Sequence, residues 1–402
     1  MTESGPHRDV PGHPGGAATP SAGGNWPRYA EKPLLVFWEM TRSCGLACVH
    51  CRASAMPEPL PGELGPKESV RLVDGMAGFG SPPPVLIFTG GDPLRRPDLQ
   101  SLLQRAHDLA LPFAVAPAVT ELLDPHHLTQ FWLRGASSVS LSLDGAEART
   151  HEEIRRVQGN FDRTLGAVRD LLALGVRVQV NTTVMRKNFR ELPRLFHLLR
   201  RLGVQSWEVF FIVKTGRGRE VEDLLPREWE SVAQFLVDAS CYGLTVRTIE
   251  APFVRRILLE RKRGAAAWTD PDYVWLRTEL EELEGPPPQQ SSLRPSGTLD
   301  GDGTVFVAHN GRIQPGGLLP LELGKFPEDD LVAVYRSHKI LQAIRERRLH
   351  GACGACPYRQ VCGGSRARAF AQDGDPLGTD PACFLATTRG VHDEPPVPVV
   401  SG

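Results

Sequence analysis

Seven of the chain's 8 cysteines fall into two groups whose spacing could do chemistry. Cys44, Cys48 and Cys51 stand in a C-x3-C-x2-C pattern within MTRSCGLACVHCRASA, directly after an apolar run. Three thiolates are thereby presented on one short loop. A four-iron cluster normally takes four cysteines, so three leave one iron open to a further ligand. A zinc site is the alternative, with His50 completing a set of three thiolates and one imidazole. In the second group Cys353, Cys356 and Cys362 are spaced C-x2-C-x5-C, and Cys383 follows about twenty residues later. Four thiolates can close a metal site completely, either as an iron–sulfur cluster or as a structural zinc knuckle. The eighth, Cys241 beside Tyr242, reads as a buried or half-buried thiol without a role.

Composition narrows the classes. A chain of 402 residues exceeds what one core usually organises, so two structural units are expected. Charges of both signs are mixed along it and the formal net charge is -1, which leaves no footprint for nucleic acid or an anionic membrane. The expected partner is a small-molecule or peptide substrate. No apolar stretch is long enough to span a bilayer and the N-terminus lacks a secretion signal, so a cytoplasmic location is expected. In that reducing setting grouped cysteines read as metal ligands rather than disulfides.

The cysteines need a scaffold. Residues 1–32 and 391–402 are rich in Gly, Pro, Ser or Ala with little to bury, and are expected to be disordered tails. Between them apolar runs alternate with helical periodicity, the signal of βα units on a parallel sheet. LLVFWE (34–39), PVLIFTG (84–90), FAVAPAV (113–119), SSVSLSLDG (137–145), VRVQVNTTV (176–184) and VQSWEVFFIV (204–213) read as strands. The segments Lys67–Phe79, Asp98–Leu109, Asp124–Leu133, Asp162–Leu174 and Asn188–Leu202 read as helices. The fold class is therefore α/β, a partial (β/α)6 TIM-like barrel over 33–284 that includes a charged helical extension from 226. Ligands belong at the C-terminal ends of its strands. EELEGPPPQQSS marks a linker at 285–296. A small second unit, 297–390, opens with a hairpin at Asn310-Gly311 and a helical stretch over Leu331–Arg347, then carries the second cysteine group.

Further motifs fall at the strand ends. Gly90-Gly91-Asp92-Pro93 follows the second strand and would ordinarily be a tight glycine turn. Ser142 and Asp144 close the fourth strand, with Arg155 in the next segment, where the bland reading is a solvated helix start. Asn181 lies on the fifth strand. Lys214, Arg217 and Arg219 follow the sixth; such runs are usually flexible loops in water, but at a barrel mouth they are expected to face substrate carboxylates.

Taken together, the cysteine loop after a strand and the Gly-Gly-Asp-Pro turn resemble the radical S-adenosylmethionine (SAM) enzymes. The resemblance implies a 4Fe-4S cluster on Cys44, Cys48 and Cys51 whose open iron is chelated by SAM. It implies reductive cleavage of SAM to a 5'-deoxyadenosyl radical that takes a substrate hydrogen, with electrons from a donor such as flavodoxin or ferredoxin. It also implies SAM contacts from Gly90, Gly91, Asp92 and Pro93, from Ser142, Asp144 and Asn181, from Arg155 to the SAM carboxylate, and from His50 near adenine. The second unit is similar to the SPASM or twitch extension of these enzymes, which implies an auxiliary 4Fe-4S cluster. Relatives often carry further cysteines where this chain has Gly316 or Gly317 and Ser365, so one auxiliary cluster is expected, on Cys353, Cys356, Cys362 and Cys383.

FWEMTRSCGLACVHCRA, FTGGDPLRRPDL, SLDGA and CGGSRARAFA resemble enzymes of alternative haem and d-type haem synthesis, which modify tetrapyrrole side chains, for instance by oxidative decarboxylation. The alternative expectation is a maturase of a ribosomally made peptide. A non-catalytic iron–sulfur or zinc-binding regulator is the third, distinguished by an inability to bind SAM.

Overall fold

The computed structural model describes residues 29–293 and 297–388. Of the expected tails at 1–32 and 391–402, residues 1–28 and 391–402 lie outside the described residues, as do the linker positions 294–296. Residues 29–32, the described end of the first of these segments, are tied down: Tyr29 N–H donates to Asp302 Oδ1 (3.3 Å), and the Tyr335 hydroxyl donates to Tyr29 O (2.6 Å).

Ten strands form one sheet: β1 (Leu35–Glu39), β2 (Val85–Thr89), β3 (Phe113–Val115), β4 (Val139–Ser142), β5 (Val178–Val184), β6 (Ser206–Phe211), β7 (Thr245–Ile249), β8 (Thr304–Val307), β9 (Arg312–Gln314) and β10 (Gly324–Lys325). Their order is β10-β9-β8-β1-β2-β3-β4-β5-β6-β7. Neighbours from β8 through β1 to β7 pair in parallel, while β9 and β10 continue antiparallel. The expected hairpin is thus β8–β9, and through β1 the C-terminal unit continues the sheet of the barrel. The third strand is shorter than its apolar run suggests, because Pro117 cannot donate to a ladder. β7 is an addition inside the segment read as helical.

Helices cover the outside: α1 (Pro66–Gly75), α2 (Leu99–Asp108), α3 (Pro125–Leu133), α4 (Ala148–Arg155), α5 (Asn160–Ala173), α6 (Leu192–Leu202), α7 (Pro226–Ala239), α8 (Val254–Lys262) and α9 (Pro271–Glu284). None of the described helices is long and apolar enough to cross a membrane. Burial alternates along β4, β5 and β6. Val180, Trp207, Val209 and Phe211 are fully buried with α-helical residues such as Phe196 and Trp229, and each such side chain contributes about 1.5–3 kcal/mol on leaving water. The intervening, half-buried set, which includes Ser142, Gln179, Asn181, Thr183 and Glu208, faces the barrel interior.

Candidate active site

The first cysteine loop leaves the C-terminal end of β1 and is closed on itself by Cys44 N–H to Met56 O (2.8 Å) and Met56 N–H to Arg42 O (3.1 Å). Cys44 and Cys48 are buried and Cys51 is half-buried. Each sulfur accepts a hydrogen bond: from Leu46 N to Cys44 Sγ (3.3 Å), from Ala55 N to Cys51 Sγ (3.4 Å) and from Arg155 Nη1 to Cys48 Sγ (3.5 Å). N–H donors on sulfur are what thiolates bound to a metal centre require, so this donor set fits an iron–sulfur cluster. Burial pushes the Cys44 thiol up to about 11 and raises Cys48 despite Arg155. Loading the loop with metal must therefore release protons. Among the described residues, no group of three or more His, Cys, Asp and Glu side chains is gathered closely enough to hold a single ion.

The Gly90-Gly91-Asp92-Pro93 turn packs flat against this loop. Gly91 N–H donates to Thr41 O (2.7 Å) and Asp92 N–H to Ser43 O (2.8 Å). A Cβ on Gly91 would sit 2.4 Å from Ser43 O, so the close approach served by this glycine is to the chain's own loop. Asp92 is fully buried; its Oδ2 accepts from the Thr120 hydroxyl (2.9 Å) and its Oδ1 from Leu94 N–H (3.2 Å). Burial raises its carboxyl despite these bonds.

Across the loop lies a buried charge cluster on β4 and α4. Asp144, fully buried, pairs with Arg155 Nη2 (2.6 Å), lies 3.8 Å from His50 Nε2 and accepts Thr183 N–H on Oδ1 (2.8 Å). Burial opposes its charge, but Arg155 and the two histidines outweigh burial and hold the carboxyl below its usual range. His151 accepts Asp144 N–H on Nδ1 (3.0 Å), so its Nε2 carries the proton and donates to Asn160 Oδ1 (2.7 Å). Burial holds both His50 and His151 down at about 4, so both rings are neutral near pH 7. Arg155 is itself buried, not a solvated helix end.

Ser142 and Asn181 sit on one rung of the sheet with Glu208. Gln179 Nε2 donates to Asn181 Oδ1 (2.8 Å) and Glu208 Oε2 (3.0 Å), a polar stripe in the barrel interior. The basic trio after β6 does not form one patch. Arg217 grips the cysteine loop: its Nε donates to Cys48 O (2.8 Å), its Nη1 to Ala55 O (2.8 Å) and its backbone N–H to Cys51 O (3.0 Å). Lys214 Nζ donates to Val221 O and lines a separate cavity with Trp229, Arg368 and Gln372, while Arg219 is exposed. The expectation of three cations facing substrate is corrected here for Arg217, whose guanidinium is engaged by carbonyls of the cysteine loop.

Cys353, Cys356, Cys362 and Cys383 all open on one cavity, roofed by Phe253 and Tyr358. Asp380 N–H and Arg366 Nη2 donate to Cys353 Sγ (3.3 and 3.6 Å), and Gly364 N–H to Cys362 Sγ (3.4 Å). Burial raises the Cys362 thiol to about 12 and Cys383 to about 11. Beside this cavity the Ser365 hydroxyl donates to Glu250, whose carboxylate accepts from Asp300. A Cβ on Gly316 would fall 1.8 Å from Asp300 Oδ1, so the glycine is what admits this pair. Burial and the Glu250 charge raise the Asp300 carboxyl well above its usual value. The folded chain then keeps a proton that the unfolded chain loses. Its contribution to stability is full below the ordinary carboxylate range and falls as pH rises through the folded value. Asp300→Asn, which keeps a donor toward Glu250, should flatten that fall; urea midpoints of both proteins over a pH series would check it.

Sequence reasoning missed Glu39, Arg52 and His309. Glu39 ends β1, pairs with Arg52 of the cysteine loop (3.0 Å) and accepts from His309 Nδ1 of the C-terminal hairpin (2.8 Å). A lone carboxylate ending the apolar run LLVFWE was the available signal.

Residues 38–199 match the sequence profile of the radical SAM superfamily. The chain is 33% identical over 359 residues to a protein named AdoMet-dependent heme synthase from Nitratidesulfovibrio vulgaris, covering 88% of this chain and 93% of that one. A protein of the same name from Oleidesulfovibrio alaskensis is 33% identical over 383 residues, covering 92% and 94%. The fold is similar to that of Streptococcus suis SuiB bound to S-adenosylmethionine, with a TM-score of 0.66 at 15% identity over 88% of this chain and 78% of that one. With relatives matched over nearly their whole length and a three-cysteine loop at the mouth of an open parallel barrel, the chain belongs to the radical SAM superfamily, enzymes that use a 4Fe-4S cluster and SAM.

Proposed function

We propose that this enzyme modifies carboxylate-bearing side chains of a tetrapyrrole, in a reaction of haem synthesis. The observation that carries this reading is full-length similarity to proteins named AdoMet-dependent heme synthase. Bound SAM and its cluster supply a radical able to take a hydrogen atom from an unactivated C–H bond. Loss of that hydrogen atom, one carbon dioxide and one electron converts a propionate side chain to a vinyl group. In this reading Cys44, Cys48 and Cys51 hold the cluster, and the interior stripe of Ser142, Asn181 and Glu208 borders the reacting groups. Cys353, Cys356, Cys362 and Cys383 would hold an auxiliary cluster, which would supply a one-electron acceptor for the surplus electron. Flavodoxin or ferredoxin delivers the electron that starts each cycle. The barrel walls exclude water from the radical.

The test is anaerobic incubation of reconstituted enzyme with SAM, a reductant and either propionate-bearing iron tetrapyrroles or candidate peptides, followed by mass spectrometry. Loss of carbon dioxide and a hydrogen per side chain, matched by 5'-deoxyadenosine, is expected from the tetrapyrrole. Loss of two hydrogens from a peptide, with the tetrapyrrole untouched, would replace this reading with that of a peptide maturase.

A further inference from the structure

Arg247 is the only lysine or arginine on strands β1–β8, the parallel part of the sheet. It lies at the middle of β7, which forms one edge of the sheet, and its register partner is Glu208. Glu208 pairs in turn with Asn181, and Asn181 with Ser142, so the four residues share one rung and one face. Val246, just before Arg247, is buried in the helix-covered core, so Arg247 points to the interior side with the polar stripe. It is exposed there, and among the described residues it makes no hydrogen bond or ion pair. The Glu208 carboxylate accepts from Gln179 Nε2 instead (3.0 Å), and burial raises that carboxyl despite Arg247, which weakens its hold on the guanidinium. On the opposite wall Phe37 and Ile87, register partners on β1 and β2, are half-buried on the same inner face. The interior is therefore apolar across β1 and β2 and polar across β4–β7, with its one strand-borne cation at the open edge.

We propose that Arg247 binds a second, non-reacting carboxylate of the substrate, so that a macrocycle lies across the barrel interior with its reacting side chain toward Ser142 and Asn181. The inference rests on the tetrapyrrole reading above. Neighbouring strands are about 4.8 Å apart, so three gaps put the backbone of Arg247 about 14 Å from that of Ser142. A single propionate is too short to bridge that span even with the arginine extended inward. A ring system carrying carboxylates at separate corners is not. Guanidinium suits the role because it holds a carboxylate bidentately, and an exposed cation with no partner among the described residues gives up only water to do so. Arg247 would thereby select substrates by the spacing of their carboxylates.

The experiment measures anaerobic equilibrium binding of a propionate-bearing iron tetrapyrrole, and of the same compound with its non-reacting propionates as methyl esters, by the change in macrocycle absorption. Wild type, Arg247→Gln and Arg247→Lys are compared, with SAM affinity and iron content followed in parallel. Arg247→Gln should bind the free acid about tenfold more weakly than wild type. It should also lose less than wild type on esterification, since the two changes remove the same contact. Arg247→Lys should fall between, because it keeps the charge without the fork. SAM affinity and iron content should stay at wild-type values, as they would not if the residue served the fold or the SAM site. Undiminished binding of the ester by wild type, or an equal ester penalty in wild type and Arg247→Gln, would overturn the inference and leave the tetrapyrrole reading in place. Wild type that binds neither compound would sink both.

Discussion

Arg217→Ala should strip iron from the three-cysteine centre while leaving the four-cysteine centre loaded. The side chain donates to two carbonyls of the cysteine loop, Cys48 O and Ala55 O, and its backbone N–H reaches a third at Cys51. Hydrogen bonds from a charged group are each worth about 1.5–3 kcal/mol, so losing the two side-chain bonds weakens the loop's fixed shape by about 3 kcal/mol or more. A tenfold change in affinity corresponds to about 1.4 kcal/mol, so cluster affinity should fall roughly a hundredfold. The neighbouring Gly216 explains why the basic segment can lie so close. It has φ +53, and a Cβ there would meet Arg52 O at 2.3 Å and Cys51 O at 2.4 Å. Arg217→Lys should recover little, because one ammonium cannot span both carbonyls. Iron and sulfide content per chain, read beside the EPR signals of the two centres, separates this role from substrate binding. A substrate-binding arginine would raise KM with iron unchanged.

What the sequence disclosed divides along physical lines. The cysteine groups were legible because ligand chemistry fixes residue type and spacing. Strands β1, β2, β5 and β6 were legible because strands covered by helices need apolar residues in uninterrupted or alternating runs. β7 was not: TVRTI alternates exposed and buried only over Thr245–Arg247 before two half-buried positions, and local periodicity there is too short to separate strand from helix. Pairing of β8 with β1 joins Leu35–Trp38 to Thr304–Val307, and nothing local encodes a parallel contact across that separation. The same limit hid the role of Arg217, whose partners are main-chain carbonyls more than 160 residues away. Backbone carbonyls carry no residue identity, so the basic segment read as a loop facing substrate carboxylates. Asp144 and Arg155 were found as residues, but their mutual pairing depends on how α4 packs back on β4.

Glu39→Ala should destabilise the fold by about 3–5 kcal/mol, the usual consequence of removing one partner from a buried ionic group. Glu39 is 3% exposed, and its two oxygens are divided between the two halves of the molecule. Oε1 takes Arg52 of the cysteine loop, and Oε2 takes the backbone N–H and Nδ1 of His309 at 3.3 and 2.8 Å. Arg52 in turn lies 4.5 Å from the centre of the Phe306 ring on β8. Burial alone would raise this carboxyl, yet Arg52 and His309 outweigh it and hold it below its usual range. The stabilisation is therefore present above the unfolded value and lost as pH falls through the lower, folded one. The alanine protein should show a lower urea midpoint at neutral pH and less further loss on acidification than wild type. Because the carboxylate joins the cysteine loop to the hairpin, the same variant should loosen Arg52 and raise hydrogen exchange at Arg52–Ala55 and Val307–Asn310 together. Protection lost in one segment alone would mean that the two halves are joined by the sheet and not by this side chain.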